Sequence, residues 1–328
     1  MAKKYKIKKV VVIGGGTGTS ILLRGLKKLP VKLTAIITTA DTGGSSGRLR
    51  KEIGMVPPGD ARQCFVALND HEHPILSHFN TRFEKGSLRG HTFGNLFLAI
   101  LWQHHNDFQK AIEEAEKIFG AEHSIVPVTT YPTDIVARLQ DGSMVKGEAN
   151  IIKIERLNKK LKNIELTPKG IANPKAKKAI EEADFILVGP GNLFTSLTPP
   201  LLVKGIRASI KKSRAKKIYT ANLMNQKRST QGYFVGDYLE HFKHILGADI
   251  FDHVIYNTDV VDDKILKRFG VKDQLLAVEE GGADNRFTGA GLLDTSISKQ
   301  DPNDPMKRTI IRHDPEKLAD TIGKLLKL

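Results

Sequence analysis

Cysteine, aromatic residues and long apolar runs are scarce in this sequence, and each shortage narrows the range of functions. The single cysteine, Cys64, excludes an intramolecular disulfide and a cysteine-based zinc site. Aromatic residues make up 6% of the chain and form no RNP-like stacking motif, so nucleic acid is not an expected partner. No run of about 18 apolar residues occurs, so we expect no transmembrane segment and a cytoplasmic location.

The familiar catalytic patterns are also missing. The sequence contains no Gly-x-Ser-x-Gly elbow, no His-Glu-x-x-His helix and no recognisable Ser, His and Asp order. We therefore assign no catalytic residue from pattern alone, and we expect no haem, flavin or zinc cofactor.

Positive charge is in excess and unevenly distributed. The 328 residues include 51 Lys and Arg against 36 Asp and Glu, which gives a formal charge of +15. Residues 151–217 alone hold 16 Lys and Arg against 5 Asp and Glu. Such a stretch is typical of a solvated surface, and it also suits the docking of an acidic partner or a membrane surface.

Short β-branched runs alternate with runs at helical spacing along most of the chain, which predicts a single α/β domain with a doubly wound, mostly parallel sheet. The predicted strands are residues 10–13, 33–39, 185–188, 218–221 and 254–256. The predicted helices are residues 20–29, 59–68, 94–103, 108–119 and 315–328. Residues 122–180 differ, because short β runs there surround Asp141-Gly142, a hairpin-turn signal. We interpret 122–180 as a β-rich, lysine-rich insertion within the domain.

The first predicted strand ends in a glycine-rich loop, residues 14–19. Gly14, Gly15, Gly16, Thr17 and Gly18 precede a helix, so backbone N–H groups can approach a phosphate at the positive end of the helix dipole. Thr19 stands where the strict dinucleotide pattern has its last glycine. The alternatives are an anion or nucleotide site and a plain tight turn.

The loop after the second predicted strand is unusually rich in polar residues. Thr39, Asp41, Ser45 and Arg48 lie among three glycines, which offers hydroxyl donors and a guanidinium group to phosphate oxygens. Asp41 also stands near the position where a dinucleotide fold has its ribose-binding acid. A flexible surface loop is the alternative interpretation.

Asp60 and Arg62 lie at the start of the second predicted helix, residues 59–68. Asp60 suits the N-cap of that helix. The alternative is that Asp41 and Asp60 share a Mg²⁺ ion that bridges phosphate groups, because magnesium takes one or two carboxylates together with substrate oxygens.

Three later segments add candidate ligand-binding residues. His91 and Asn95 are four apart and share a face if their helix begins early. His91 suits an acid–base group or a phosphate donor, and a capping or packing role is the alternative. A second strand–glycine loop–helix unit contains Gly189, Gly191 and Asn192, and Asn222 and Gln226 follow another strand. In an open α/β sheet such loops border one crevice.

Six segments together resemble the gluconeogenesis factor family, which is related to 2-phospho-L-lactate transferase. They are residues 14–19, 39–50, 57–62, 91–98, 188–197 and 222–226. The resemblance runs from about Lys9 to Leu326. After Asn222 the family usually has Thr-Gln-Pro-Gly-Glu-Thr, but this chain carries Lys227 and Arg228 and lacks the glutamate, which weakens any acidic role for that loop.

The resemblance implies a Rossmann-like core and a cytoplasmic regulatory protein that binds UDP-glucose or UDP-N-acetylglucosamine. Members are linked to growth and cell shape on gluconeogenic carbon sources, which implies a protein partner in cell-wall synthesis. In that hypothesis Gly15, Thr17, Gly18 and Asn192 line the diphosphate and ribose region, with Arg48 and Arg62 as phosphate partners. A homo-oligomer is compatible with the sequence.

Two alternatives stay open. The first is a metal-dependent transferase that acts on a phosphorylated, nucleotide-linked substrate, because the transferase relatives use a divalent metal held by aspartates. Asp41 and Asp60 are the matching positions here, and Mg²⁺ is the expected ion. The second is an NAD-type dinucleotide binder, which the first glycine loop and Asp41 favour.

Overall fold

The computed structural model describes residues 7–69, 73–155, 161–226, 229–269, 271, 274–279, 284–294 and 311–328. Its strands are β1 Lys8–Gly14, β2 Val31–Ile37, β3 Ser124–Pro127, β4 Asp134–Leu139, β5 Met144–Lys146, β6 Leu161–Thr167, β7 Phe185–Val188, β8 Lys216–Thr220, β9 His253–Asn257 and β10 Phe287–Ala290. The first helices are α1 Gly16–Leu26, α2 Gly44–Ile53, α3 Gly59–Leu68, α4 Pro74–Ser77, α5 Phe93–His105, α6 Phe108–Ile118 and α7 Glu148–Glu155. They are followed by α8 Pro174–Glu182, a π-helical turn Leu193–Leu197, α9 Thr198–Leu202, α10 Ile206–Lys212, α11 Val235–Leu246, α12 Asp263–Phe269 and α13 Pro315–Leu326.

Seven strands form one sheet in the order β10-β9-β8-β7-β1-β2-β3, and every pairing between neighbours is parallel. The chain runs outward from β1 through β2 to β3, then returns to the other side of β1 and continues through β7, β8 and β9. The order therefore reverses between β1 and β7. Parallel strands whose connections carry helices to both faces define a doubly wound α/β fold, so the predicted fold class is confirmed.

Strand β1 shows why both faces of the sheet are covered. Val10 and Val12 belong to the core on one face, and Val11 and Ile13 belong to the core on the other. A strand buried on both sides needs an unbroken apolar run, which this β-branched sequence supplies. Helices α1, α3, α5, α6 and α13 pack on the first face, and α8, α9, α10 and α11 pack on the second.

A small antiparallel sheet, in the order β5-β4-β6, lies within residues 134–167. Ile135, Ala137, Ile164 and Leu166 on β4 and β6 are buried in the second core. Strand β3 pairs with β2 at the edge of the large sheet. The β-rich character expected for the 122–180 segment therefore resides in 134–167, and its limits as an inserted unit stay a prediction.

No helix in the described part of the chain combines the length and apolar character needed to cross a lipid bilayer.

Candidate functional site

A cavity of about 540 Å³ opens where the strand order reverses between β1 and β7. It lies at the carboxyl ends of the strands, because its walls include residues that follow β1, β2, β7 and β8. Ligands of open α/β sheets bind at this switch point, since the loops on its two sides diverge and leave a crevice. The fold alone thus selects this cavity as the candidate site.

The two glycine-rich loops on either side of the switch point touch each other. A Cβ built on Gly18 lies 2.4 Å from the carbonyl oxygen of Pro190 and 3.2 Å from the nitrogen of Gly191. Only a residue without a side chain permits this approach of two backbones. Residues 14–19 and 189–192 therefore form one continuous wall of the cavity.

Side chains from neighbouring loops fix the backbone of this wall. Asp60 Oδ1 accepts a hydrogen bond from the Gly16 N–H at 2.6 Å. Asn222 Oδ1 accepts from the Gly191 N–H at 2.9 Å, and its Nδ2 donates to the Gly191 carbonyl at 2.8 Å. Asn192 Oδ1 accepts from the N–H groups of Phe194 and Thr195. The loops are held in place before any ligand arrives.

Three α-helices point their N-termini at the cavity. Residues in the first turn of each of these helices line the cavity. They are Gly16, Thr17 and Gly18 of α1, Gly44, Ser45 and Ser46 of α2, and Gly59, Asp60 and Arg62 of α3. The first N–H groups of a helix have no partner within it, and the helix dipole adds partial positive charge there. Convergent N-termini of this kind suit a ligand with several negatively charged oxygens.

A buried polar network forms one end of the cavity. Arg62 Nε donates to Asn95 Oδ1 at 2.9 Å, and Asn95 Nδ2 donates to Ser45 Oγ at 3.0 Å. Ser45 Oγ also lies 3.0 Å from Nδ1 of His91. All four side chains are buried, and burial, assisted by the nearby Arg48 charge, lowers the pKa of His91. His91 is therefore neutral near pH 7.

Acidic side chains gather beside the first glycine loop. Asp41, Asp60 and Glu148 all line the cavity. Burial and the neighbouring Asp41, with which Glu148 shares a hydrogen bond, raise the pKa of Glu148 well above its ordinary value. Oε2 of Glu148 is buried and has no hydrogen-bond partner. Within the described residues, no three His, Cys, Asp or Glu side chains are grouped so as to hold a metal ion.

The small sheet delivers Glu148 to this position. Gly147, with φ +90°, turns the chain after β5, and Glu148 begins α7. Thr42 Oγ1 accepts a hydrogen bond from the Ala149 N–H at 3.1 Å. Arg50 Nη1 of α2 pairs with Asp134 Oδ1 of β4 at 2.9 Å. These contacts fasten the 134–167 segment to the loop that carries Asp41.

Most of the residues predicted from the sequence come together in this cavity. Those that line it are Gly15, Gly16, Thr17, Gly18, Asp41, Ser45, Asp60, Arg62, Asn95, Gly191, Asn192, Asn222 and Gln226. The remaining five stand behind the wall or at its margin: Gly14, Thr39, Arg48, His91 and Gly189. Arg48 donates from Nη2 to the Arg89 carbonyl at 2.7 Å, so its guanidinium group is engaged outside the cavity. Lys227 and Arg228, the departure from the family motif, lie outside the described residues.

Two local expectations need correction. The interpretation of Asp60 as a helix cap is wrong, because Pro58 is the N-cap of α3 and Asp60 lies in its first turn, where it binds Gly16. His91 and Asn95 do not share a helix face, because Thr92 is the N-cap of α5 and His91 precedes it. Both nevertheless contact Ser45.

Some cavity residues gave no usable signal in the sequence. Glu148 belongs to the inserted region and sits in no recognisable motif, so only the three-dimensional contacts reveal it. His313 also lines the cavity, and its Nε2 is buried without a hydrogen-bond partner. Burial lowers the pKa of His313 to about 4, so it is neutral at pH 7. His313 lies in the sequence Arg312-His313-Asp314, outside the six segments that carry the family resemblance.

The described part of the lysine-rich stretch contributes no cation to the cavity. The cationic residues among the described lining residues are Arg62, Arg82 and Arg312, and no described lysine of 151–217 is among them. Several of those lysines instead form exposed ion pairs, such as Lys212 with Glu181 and Lys175 with Glu113. The excess charge of this stretch therefore lies outside the cavity, although Gly191 and Asn192 of the same stretch line it.

The fold and cavity thus define a doubly wound α/β protein with a preformed, glycine-walled cavity at its switch point. Residues 10–282 match the family model described as 2-phospho-L-lactate transferase CofD, and the chain belongs to that family. The resemblance inferred from the six segments is confirmed.

Similar proteins from two bacteria carry the name gluconeogenesis factor. The chain is 39% identical to the one from Halalkalibacterium halodurans over 321 residues, which cover 97% of this chain and 96% of the relative. It is 36% identical to the one from Bacillus subtilis, with 97% and 98% covered. A solved structure of a UPF0052 family member from Bacillus halodurans superimposes with a TM-score of 0.87 at 36% identity, covering 97% of this chain and 99% of that one.

Proposed function

We propose that the cavity binds a UDP-sugar, UDP-glucose or UDP-N-acetylglucosamine, and that the protein is a cytoplasmic regulator of growth and cell shape on gluconeogenic carbon sources. The observation that carries the proposal is the convergence of three helix N-termini and two interlocked glycine loops on one cavity. The name of the relatives supports the link to gluconeogenesis. A protein of cell-wall synthesis is the partner we propose.

The diphosphate fits the part of the cavity that offers most backbone donors. The Gly16 N–H is engaged by Asp60, so the first turn of α1 faces the ligand space with Thr17 and Gly18, and the Gly191 loop lies opposite them. Phosphate oxygens bind well at such positions because, without a side chain in between, the backbone N–H groups can come close to them. A volume of about 540 Å³ falls within the range of small-molecule sites, about 300–1,000 Å³.

An NAD-type ligand is less well supported by the same geometry. The ribose of such a ligand needs a free acid at the end of the second strand. Asp41 stands there, but its Oδ1 accepts from the Gly43 N–H at 2.7 Å and its carboxyl group shares a hydrogen bond with Glu148. The carboxyl group is already engaged within the protein. Competition between NAD and UDP-N-acetylglucosamine for the purified chain separates the two ligands.

A second candidate function, a metal-dependent phosphoryl-group transferase, is favoured by the acidic group and by the family. Asp41, Asp60 and Glu148 are hard oxygen donors, and the unpartnered Oε2 of Glu148 is an orphaned acceptor that suits a cation. No three such groups form a cage by themselves among the residues described. The donor set therefore fits a Mg²⁺ ion that arrives with a phosphate ligand, which supplies its other oxygens.

In such a transferase Asp41 and Glu148 would hold the ion in place of the hydrogen bond between them, and Asp60 would steady the first glycine loop through Gly16. When bound, Mg²⁺ neutralises charge on the phosphate oxygens. The backbone N–H groups of α1 and α2 orient the same phosphates, and the network of Arg62, Asn95 and Ser45 closes the far end of the cavity.

Calorimetric titration of the full chain with UDP-N-acetylglucosamine, with and without Mg²⁺, tests the proposed function. We expect saturable binding of one ligand per chain. Absence of heat at millimolar ligand in both buffers contradicts it. Binding that leaves the ligand chemically intact after prolonged incubation favours the regulatory binder, and release of a nucleotide product favours the transferase.

A further inference from the structure

Ser45 is the cavity-lining residue of the buried network that lies next to His91, and Arg62 and Asn95 of the same network also line the cavity. It lines the cavity in the first turn of α2, whereas His91 stands behind it. Its Oγ has two neighbours at 3.0 Å, Nδ2 of Asn95 and Nδ1 of His91. Ser45 and His91 are 4% and 3% exposed, so water does not compete for these contacts.

The guanidinium group at one end sets the direction of two hydrogen bonds, from Arg62 to Asn95 and from Asn95 to Ser45, while the direction of the Ser45–His91 bond depends on the tautomer of His91. Arg62 has donors only, so the Asn95 oxygen faces Arg62 and the Asn95 amide N–H₂ faces Ser45. Ser45 Oγ thus already accepts one hydrogen bond. A neutral imidazole has one nitrogen that accepts a proton. With the proton of His91 on Nε2, the Ser45 hydroxyl donates to Nδ1, and its remaining lone pair faces the cavity.

We propose that Ser45 and His91 form a proton relay that deprotonates a hydroxyl group of an acceptor molecule bound in the cavity. This inference rests on the transferase candidate and names the residues that move its proton. Ser45 is the residue that touches the acceptor, and His91 acts through Ser45 as a positioning and proton-holding residue. The relay requires a hydroxyl compound as the second substrate, and the first is the nucleotide-linked substrate of the transferase candidate, taken here as a nucleoside diphosphate conjugate.

In the transfer step the acceptor oxygen is the nucleophile and the nucleoside diphosphate conjugate is the donor. The acceptor oxygen forms a bond to the β-phosphorus, and the bond from that phosphorus to the bridging oxygen breaks. The bridging oxygen leaves with the electron pair as a nucleoside monophosphate. The acceptor proton passes to Ser45 Oγ while the Ser45 proton passes to His91 Nδ1, from which it returns to solvent after the products leave.

The test compares four versions of the full chain: the unmodified protein, Ser45→Ala, His91→Asn and His104→Asn. In His91→Asn the side-chain oxygen of the introduced asparagine replaces Nδ1 as a hydrogen-bond acceptor for Ser45 but takes up no proton, so this variant separates orientation from proton transfer. His104 is exposed on α5 and controls for the same substitution away from the cavity. Each protein is incubated with UDP-glucose, Mg²⁺ and glycerol as the hydroxyl probe, and UMP release is measured by ion-exchange chromatography.

We expect UMP release by the unmodified protein and by His104→Asn, and a fall of roughly 100-fold in His91→Asn and Ser45→Ala, the usual scale of general acid–base catalysis. Calorimetry and thermal melting of the same samples should show UDP-glucose binding within about threefold of the unmodified protein and an intact fold. Loss of turnover without loss of substrate binding is the signature of a proton-transfer role.

Three other outcomes would each overturn the proton relay, and each has a different consequence for the proposed function. Full UMP release by His91→Asn shows that His91 only orients Ser45, and leaves the transferase standing. UDP-glucose binding without any UMP release by the unmodified protein removes the relay and leaves the regulatory binder. Absence of UDP-glucose binding removes the proposed function together with the relay.

Discussion

Replacement of Gly18 by alanine tests whether the two glycine loops act as one ligand cradle. The new Cβ would lie 2.4 Å from the Pro190 carbonyl oxygen, and ordinary contact begins at 3.4 Å, so the loops must separate by about 1 Å. Hydrogen bonds to oxygen span only about 2.7–3.2 Å, so a shift of this size carries backbone donors out of range of a bound phosphate.

We expect Gly18→Ala to reduce the free energy of ligand binding more than it reduces the free energy of unfolding. Overpacking costs about 1–3 kcal/mol, and alanine in the α1 helix recovers about 1 kcal/mol of helix propensity, so the net loss of unfolding free energy is modest. Loss of one or two charge-assisted hydrogen bonds, at about 1.5–3 kcal/mol each, weakens ligand binding by more than about tenfold.

Gly236→Ala is the matched control. Gly236 lies in α11, away from the cavity, and a Cβ there meets nothing within 4 Å. This variant should gain about 0.5–1 kcal/mol of stability and bind UDP-N-acetylglucosamine as the unmodified chain does. Urea unfolding and calorimetric titration measure both quantities. If Gly18→Ala binds as tightly as Gly236→Ala, the reasoning about a joint cradle is refuted.

Three further perturbations follow from the same geometry. Asn222→Ala removes both hydrogen bonds to Gly191, so the free energy of unfolding measured in urea should fall by about 1–3 kcal/mol and ligand binding should weaken. An unchanged urea midpoint of unfolding contradicts the anchoring role of Asn222. Burial lowers the pKa of His241 to about 4, below its unfolded value of about 6.5, so this group makes the fold less stable as pH falls through that interval. The drop in unfolding free energy from pH 7 to pH 5 should therefore be about 2 kcal/mol smaller in His241→Gln, and equal drops in the two proteins contradict the assignment. Asp41→Asn should keep the fold, as judged by its thermal melt, while abolishing Mg²⁺-dependent turnover; retained turnover removes Asp41 from the metal site.

The fold class and the two glycine loops of the cavity wall could be predicted from the sequence, for physical reasons. Residues 10–13 and 185–188 are apolar runs that end in glycine, and a glycine loop between a buried strand and a helix lies at the carboxyl edge of a parallel sheet. Two such loops at neighbouring strands must therefore face each other. The contact of Gly18 with Pro190 is the observed form of that prediction.

Side-chain contacts between segments that are far apart in the chain could not be predicted from the sequence. Ser45 meets His91 across 46 positions, and Glu148 reaches Asp41 from the small antiparallel sheet. Asp60 illustrates the same point, because local propensity favoured a helix cap while a long-range hydrogen bond to Gly16 decided its role. Local patterns identified which residue types gather near the strand ends, and tertiary packing decided which atoms meet.

A crystal soaked with UDP-N-acetylglucosamine and Mg²⁺ shows whether the glycine-walled cavity holds the diphosphate of a UDP-sugar. We expect diphosphate density within hydrogen-bond distance of the first N–H groups of α1, against the Gly18–Pro190 contact, with metal density at Asp41. Ligand density elsewhere on the molecule, or an empty cavity at saturating ligand, contradicts the account.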